Sequence, residues 1–233
     1  LPLTIETAED LAPRLKKSVS WITSRTGVIE RRISDIDVDK MGAIAVKAAI
    51  GDKSAPDLII NASGVPKQVI PDTSVFIQKV LGFEKIPSFS VHSTCLSFIT
   101  ALQVAGALIK SKTHKRIVIV SADRGTRGRN FEEPESAALL GDAAAAVYLE
   151  SSSDFTRGML NCSMETWPEG AHLTEVRGGG TARHPHDAET SYGDNLFTMD
   201  GPQIFKMALQ KVYSMINSDL KSQELEKEDV KLL

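Results

Sequence analysis

Two short runs restrict the fold more than any other feature of this chain. Asp57-Leu-Ile-Ile-Asn-Ala62 and Arg116-Ile-Val-Ile-Val-Ser-Ala122 are apolar at successive positions rather than at alternate ones. A strand with one wet face alternates, because successive side chains point to opposite sides. An unbroken apolar run fits a strand covered on both faces, as in a parallel sheet flanked by helices. Ala143 to Leu149 reads as a third strand of this kind. Helical spacing fills the intervals. Thr7 to Ile22 carries Leu11, Leu15, Val19 and Ile22 on one side, with Thr7 or Glu6 near its cap. Lys40 to Ile50 and Asp72 to Leu81 follow, the latter ended by Gly82, then a helix from Leu96 onward and a last one over Gly201 to Asn217. Strands alternating with helices through short connectors predict an α/β fold with a largely parallel core sheet.

Other stretches are less regular. Ser24 to Arg32 reads as a charged connector with a glycine turn signal, and from Ser151 to Asn195 periodicity fades into loops with room for a hairpin. The final Asp229-Val-Lys-Leu-Leu233 resembles a polar connector running into a new apolar strand, and the opening Leu1-Pro2 lacks a methionine. The expectation is a piece of a longer protein, trimmed at both ends.

Composition excludes several classes. At 42% hydrophobic residues over 233 positions, the chain can bury a sizeable core, and its net charge of −3 argues against a nucleic-acid binder. No apolar run reaches the roughly 18 residues of a membrane span, and no signal-peptide pattern is visible, so a cytoplasmic protein without membrane or nucleic-acid partners is expected. Two cysteines, Cys95 and Cys162, cannot make a disulfide framework, and free thiols are expected.

Cys95 stands where Phe89-Ser-Val-His-Ser-Thr-Cys95 passes from a strand-like run into a helix. A cysteine in the first turn of a helix lies at the positive end of the helix dipole, which favours the nucleophilic thiolate, and a backbone N–H there can hold an oxyanion. The competing readings are a small buried hydrophobe and a disulfide partner. His92, three residues earlier, is better placed for packing or support than as the base, because base and nucleophile usually meet through the fold. His114, His172, His184 and His186 lack metal-ligand spacing, so no metal is expected. Asp142, after Gly141, reads as a turn-capping carboxylate rather than a catalytic acid, and the alanines after it as a site of close backbone packing. Gly178-Gly-Gly180 lacks the strand–loop–helix setting of a phosphate loop. Trp21 and Arg25 fall one turn apart if their helix continues, and could then face one ligand.

Four separated stretches resemble the β-ketoacyl-acyl-carrier-protein synthase III group of thiolase-fold condensing enzymes: Trp21-Ile-Thr-Ser-Arg-Thr-Gly-Val-Ile-Glu-Arg31, the Cys95 segment with its helix, Leu140-Gly-Asp142 with the alanine strand, and Met199-Asp-Gly-Pro-Gln-Ile-Phe-Lys206. The resemblance implies a layered α-β-α-β-α fold. Residues 1–155 would form an N-terminal half carrying the nucleophile, and 156–233 a loop region with the start of a C-terminal half. It implies that Cys95 accepts an acyl group from an acyl-CoA, which serves as substrate with no resident cofactor. The acyl group would then condense with a malonyl-carrier donor in fatty acid or polyketide-type biosynthesis. Trp21, Arg25, Met199, Gly201 and Phe205 would bind CoA, and Ile70, Leu96 and Leu139 would shape the acyl pocket and dimer contact. Lys206 would dock the acyl carrier protein, and a homodimer is implied. The chain departs from the group at Pro134, where many members carry an arginine, at Leu96, and in its alanines after Asp142. The histidine and asparagine that promote decarboxylation would follow the strand near Val230, so residues 1–233 alone are expected to be inactive in condensation. Transfer of the acyl group to an alcohol or amine, and a non-catalytic partner subunit, are the other readings.

Overall fold

The computed structural model describes residues 1–154, 158–159 and 161–231. They divide into two units, the first spanning Leu1–Ser153 and the second beginning at Asp154.

The first unit opens with β1 (Thr4–Thr7), α1 (Ala8–Leu15), α2 (Val19–Thr26) and β2 (Glu30–Ile33). The single helix expected over Thr7 to Ile22 is therefore two. Thr7 caps α1 in a reciprocal pair with Asp10, but Lys16 turns left-handed (φ 53°) and ends it. The Ser18 side chain then accepts the Trp21 N–H (3.1 Å) and starts a new helix. Gly27, at φ 68°, ends α2. The charged connector after it contains a strand, since β2 pairs antiparallel with β1 from Thr4↔Ile33 to Thr7↔Glu30. Neither run is apolar enough to signal a buried strand, so the pattern does not show it.

The main sheet follows: α3 (Val38–Ile50), β3 (Leu58–Asn61), α4 (Thr73–Leu81), β4 (Ser88–Ser90), α5 (Ser97–Lys110), β5 (Arg116–Arg124), α6 (Pro134–Ala137) and β6 (Asp142–Glu150). Strand order is β4-β3-β5-β6, with β4, β3 and β5 parallel. β6 departs from expectation, pairing antiparallel to β5 over Arg116↔Glu150 to Arg124↔Asp142 and lying at the sheet's end. Between β5 and β6 the chain holds only a 3-10 turn (Gly125–Gly128) and the four-residue α6. It has no helix long enough for a crossover, so the strand returns antiparallel. Its side chains are correspondingly half-buried or exposed past Asp142.

The apolar runs do what their pattern predicts. Leu58, Ile60, Ile117 and Ile119 pack with Ala101 and Ala105 of α5, whereas Ile59, Val118 and Val120 pack with Val46 of α3 and Ile77 of α4 on the opposite face. Each fully buried Ile or Val contributes roughly 1.5–3 kcal/mol. The chain steps outward from β3 to β4 through α4, then back across β3 to β5 through α5. Right-handed crossovers in opposite directions place these two helices on opposite faces. Ser97, Ala101 and Ala105 recur at four-residue intervals, and their small side chains let α5 lie close on the sheet. The alanines of β6 pack on one side, Ala144 against Val38 and Met41 and Ala146 against the cluster around Val46 and Ile59, while Ala144–Ala146, with Ala45, Ala48 and Ala49 of α3, also line an open groove of about 660 Å³.

In the second unit, β7 (Thr174–Glu175) pairs antiparallel with β8 (Thr198–Met199), and α7 (Gly201–Ser222) runs five residues past the expected Asn217. Asp200 caps α7 by accepting the Gln203 N–H (3.1 Å). Lys227–Asp229 forms a 3-10 turn, and Leu232 and Leu233 of the expected apolar strand lie outside the described residues. Among the described residues no helix is long and apolar enough to cross a membrane.

Candidate active site

The parallel strands β4, β3 and β5 all end on one side of the sheet. A buried polar ladder joins those ends: Asn61 Nδ2 donates to Ser90 Oγ (2.8 Å), Ser63 Oγ to Asn61 Oδ1 (2.8 Å), and the Ala122 N–H to Ser63 Oγ (3.0 Å). In open α/β sheets, ligands gather beyond these strand ends where the chain reverses its direction of winding. Here that reversal falls between β3 and β5.

Cys95 sits at this end of the sheet, exposed and with a free thiol. It is not in the first turn of the helix. Leu96 is the N-cap and Ser97 the first helical residue. The reason is local: Thr94 adopts a left-handed conformation (φ 53°), and the buried Ser97 hydroxyl occupies the turn. That hydroxyl accepts the Ser93 N–H (2.9 Å) and donates to the Thr94 carbonyl (2.6 Å). The Leu96 N–H returns to Ser93 O and the Ser97 N–H to Thr94 O, at 3.0 and 3.2 Å. Cys95 thus rides on a tight turn just ahead of a helix N-terminus, held from below by a serine. Its exposure removes the reading as a small buried hydrophobe.

His92 is exposed, so the packing expected of it is absent. Asp142 is 2% exposed and accepts the backbone N–H groups of Ser34 (2.8 Å) and Thr126 (3.0 Å) together with Thr126 Oγ1. A carboxylate so fully engaged is a structural clamp, as its sequence context suggested. Trp21 and Arg25 both lie on α2, one turn apart, the tryptophan half-buried beneath Lys17 Nζ (5.0 Å to the ring) and the arginine exposed. Leu96 and Leu139 are each 44% exposed, and Ile70 is 79% exposed ahead of Pro71. In the second unit, Met199 ends β8 and Gly201, Phe205 and Lys206 belong to the first turns of α7, where Phe205 is 68% exposed. The fold therefore joins Leu96 to Cys95, Trp21 to Arg25, and the four second-unit residues to one another. Among the described residues no group of three or more His, Cys, Asp or Glu could hold a metal, and His184 and His186 stack on each other at 5.2 Å.

Two residues at the strand ends escaped the sequence reading. Asn61 closes an apolar run and Asp123 follows another, and a polar residue at the C-terminal end of a buried strand is the signal that marks them. Asp123 Oδ1 accepts the N–H groups of Gly64 (2.9 Å) and Val65 (3.0 Å), and Ser121 Oγ lies 3.1 Å from Oδ2.

Comparison with known proteins bears on this arrangement. Residues 89–168, which include the Cys95 turn and β6, match the family model described as 3-oxoacyl-[acyl-carrier-protein (ACP)] synthase III. A beta-ketoacyl-[acyl-carrier-protein] synthase III of Pasteurella multocida is 30% identical over 99% of this chain and 72% of its own length. That of Chlorobium phaeobacteroides is 29% identical over 100% of this chain and 73% of its own. The crystal structure of 3-oxoacyl-[acyl-carrier-protein] synthase III from Aquifex aeolicus superposes with a TM-score of 0.87 at 27% identity, covering 100% of this chain and 72% of that one. A thiolase-like architecture is thereby shown, and the chain belongs to the 3-oxoacyl-[acyl-carrier-protein] synthase III family.

Proposed function

We propose that Cys95 is the acyl-accepting nucleophile of a decarboxylative condensing enzyme. The observation carrying this reading is the exposed thiol on a constrained turn ahead of α5, at the ligand-gathering end of the parallel strands. The Cys95 thiolate attacks the carbonyl of an acyl-CoA thioester, the CoA thiolate leaves, and an acyl-Cys95 thioester remains. The Cys95 N–H supports the oxyanion of the tetrahedral intermediate. A malonyl-carrier donor then loses CO₂, its carbanion attacks the acyl-Cys95 carbonyl, and the Cys95 thiolate is released.

The remaining roles belong to the same proposal. Trp21 and Arg25 hold the nucleotide end of CoA. Met199, Gly201 and Phe205 line the pantetheine path, and Lys206 meets an acidic carrier protein. Leu96, Leu139 and Ile70 bound the acyl group, with Ile70 reaching a second copy in a cytoplasmic homodimer. The large exposure of Ile70, with Val65 and Val69 beside it in sequence, supports an interface there.

The test uses the full-length protein with isotopically labelled acyl-CoA, followed by mass analysis of the Cys95 peptide. We expect one acyl adduct on Cys95, absent in Cys95→Ala, and CO₂ release on adding a malonyl-carrier donor. Absence of an adduct overturns the nucleophile assignment. An adduct that passes to an alcohol or amine without CO₂ release replaces condensation with plain acyl transfer.

A further inference from the structure

We infer that Asp123 is a positioning residue for Cys95, acting through the turn at Gly64 and Val65; this rests on the nucleophile reading above. Asp123 stands at the end of β5, and Gly64 lies three residues beyond the end of β3. One carboxylate oxygen takes both N–H groups of the Gly64–Val65 turn. The other oxygen is engaged by Ser121 on the same strand. Two charge-assisted bonds to adjacent amides fix a backbone turn more firmly than neutral ones.

That turn lies beside the nucleophile's segment, across the space a side chain at Gly64 would fill. A methyl group placed on Gly64 would stand 3.5 Å from Asp123 Oδ1 and 3.7 Å from the Thr94 carbonyl oxygen. Gly64 is therefore a spacer between the carboxylate and Thr94, the left-handed residue that turns Cys95 outward. Ser97 grips the same Thr94 carbonyl from the helix side. The peptide before Cys95 is braced from two directions, one fixed by α5 and the other by Asp123. If the Gly64 turn drifts, Thr94 gains freedom and the Cys95 sulfur leaves its line of attack. A displacement near 1 Å is enough to lower a rate about a hundredfold.

The two sides of the brace can be disturbed separately in the full-length protein. Asp123→Ala removes the acceptor, Asp123→Asn retains one oxygen, and Gly64→Val crowds Thr94 while leaving the Asp123 carboxylate in place as an acceptor. Gly64→Ala is the control, since its methyl makes only ordinary contacts. We expect acylation by acyl-CoA to slow at least tenfold in Asp123→Ala and Gly64→Val, with KM changed less than about threefold, and to recover in large part in Asp123→Asn. Amide exchange over residues 92–97 should accelerate in the same two variants, a readout independent of any acyl chemistry. If wild type acylates and both variants match it within twofold, the positioning role is wrong. If wild type itself forms no adduct, the nucleophile reading fails, and the exchange data alone decide whether Asp123 braces the turn. Should Asp123→Ala not fold, Asp123→Asn and Gly64→Val carry the decision.

Discussion

Arg31 of β2 donates through Nε (2.6 Å) and Nη2 to the carbonyl of Ala138, 107 residues further along the chain. Arg129 does the same to Leu140, at 3.0 and 2.6 Å, and adds an ion pair to Glu6 (2.6 Å). Both arginines are almost fully buried, at 4% and 5% exposure. Between the two gripped carbonyls, Leu139 projects outward. The turn that presents this proposed acyl-pocket residue is thus fastened on both sides.

Replacing Arg31 by methionine should leave the Ala138 carbonyl unsatisfied in a buried setting and destabilise the protein by about 2 kcal/mol. Arg31→Lys should rescue little of this, because an ammonium cannot reproduce the two-pronged geometry. Urea unfolding checks both values. A loss below about 0.5 kcal/mol in Arg31→Met would show that the carbonyl finds another donor.

The ladder Ser90–Asn61–Ser63–Ala122 ties three strand ends through one amide side chain. Asn61→Leu removes both of its bonds, taking the acceptor from the Ser63 hydroxyl and a donor from Ser90, where Asn61 and Ser63 are only 2–4% exposed. The expected loss is about 2–3 kcal/mol, with Asn61→Ser recovering part of it by keeping a polar atom. Thermal denaturation of the variants gives the ranking.

The core was legible because burial on both faces leaves a plain signature. Leu58 to Ile60 and Ile117 to Val120 are uniformly apolar, and α3, α4 and α5 carry helical spacing with turn or cap residues at their ends. The direction of β6 was not legible, since an alanine run carries no mark of whether its partner runs parallel or antiparallel. The break between α1 and α2 was hidden because Leu11, Leu15, Val19 and Ile22 keep helical spacing straight through Lys16. The strand–helix junction singled out Cys95 as a candidate, but its offset from the helix depends on the backbone angle of Thr94 and on Ser97, which no periodicity encodes. Asp123 acts on Thr94 through a glycine, and contacts between backbone segments 30 residues apart leave no pattern in either.

Lys67 bridges Asp37 (2.6 Å) and Asp39 (3.1 Å), tying the loop after Gly64 to the start of α3. The hydrogen bond from Lys67 holds Asp37 below its usual range, and the same bond raises Lys67. The aspartate's contribution is present above its unfolded value of about 3.9 and is lost as pH falls through its depressed folded value. The lysine's is present below about 10.4 and is lost as pH rises through its elevated one. The pair therefore stabilises the fold across the neutral range and weakens at both ends. Asp37 is half exposed, so the worth of the pair is about 0.5–1 kcal/mol. Lys67→Met should flatten the dependence of urea midpoint on pH at both extremes. An unchanged profile would mean that water screens the pair completely.

In the second unit, Asp194 organises the loop between β7 and β8. Its carboxylate accepts the Ser191 N–H and hydroxyl, each at 2.8 Å, and pairs with Arg177 (2.9 Å), while its own carbonyl accepts from the Gly178 N–H (2.6 Å). The Ser191 backbone bond, then its hydroxyl, then the two nearby arginines hold its pKa below the ordinary aspartate range. A depressed carboxylate stabilises the loop above the unfolded value of about 3.9, and that support disappears as pH falls through the folded one. Hydrogen exchange over residues 177–195, taken relative to the intrinsic amide rate at each pH, should accordingly quicken below pH ~4 in wild type. In Asp194→Asn it should be fast already at neutral pH, with little further change on acidification. The Arg177→Gln variant separates the two causes: the acid-induced opening should persist, because the Ser191 bonds remain. If instead Arg177→Gln abolishes it, the ion pair rather than the capping serine holds this loop closed.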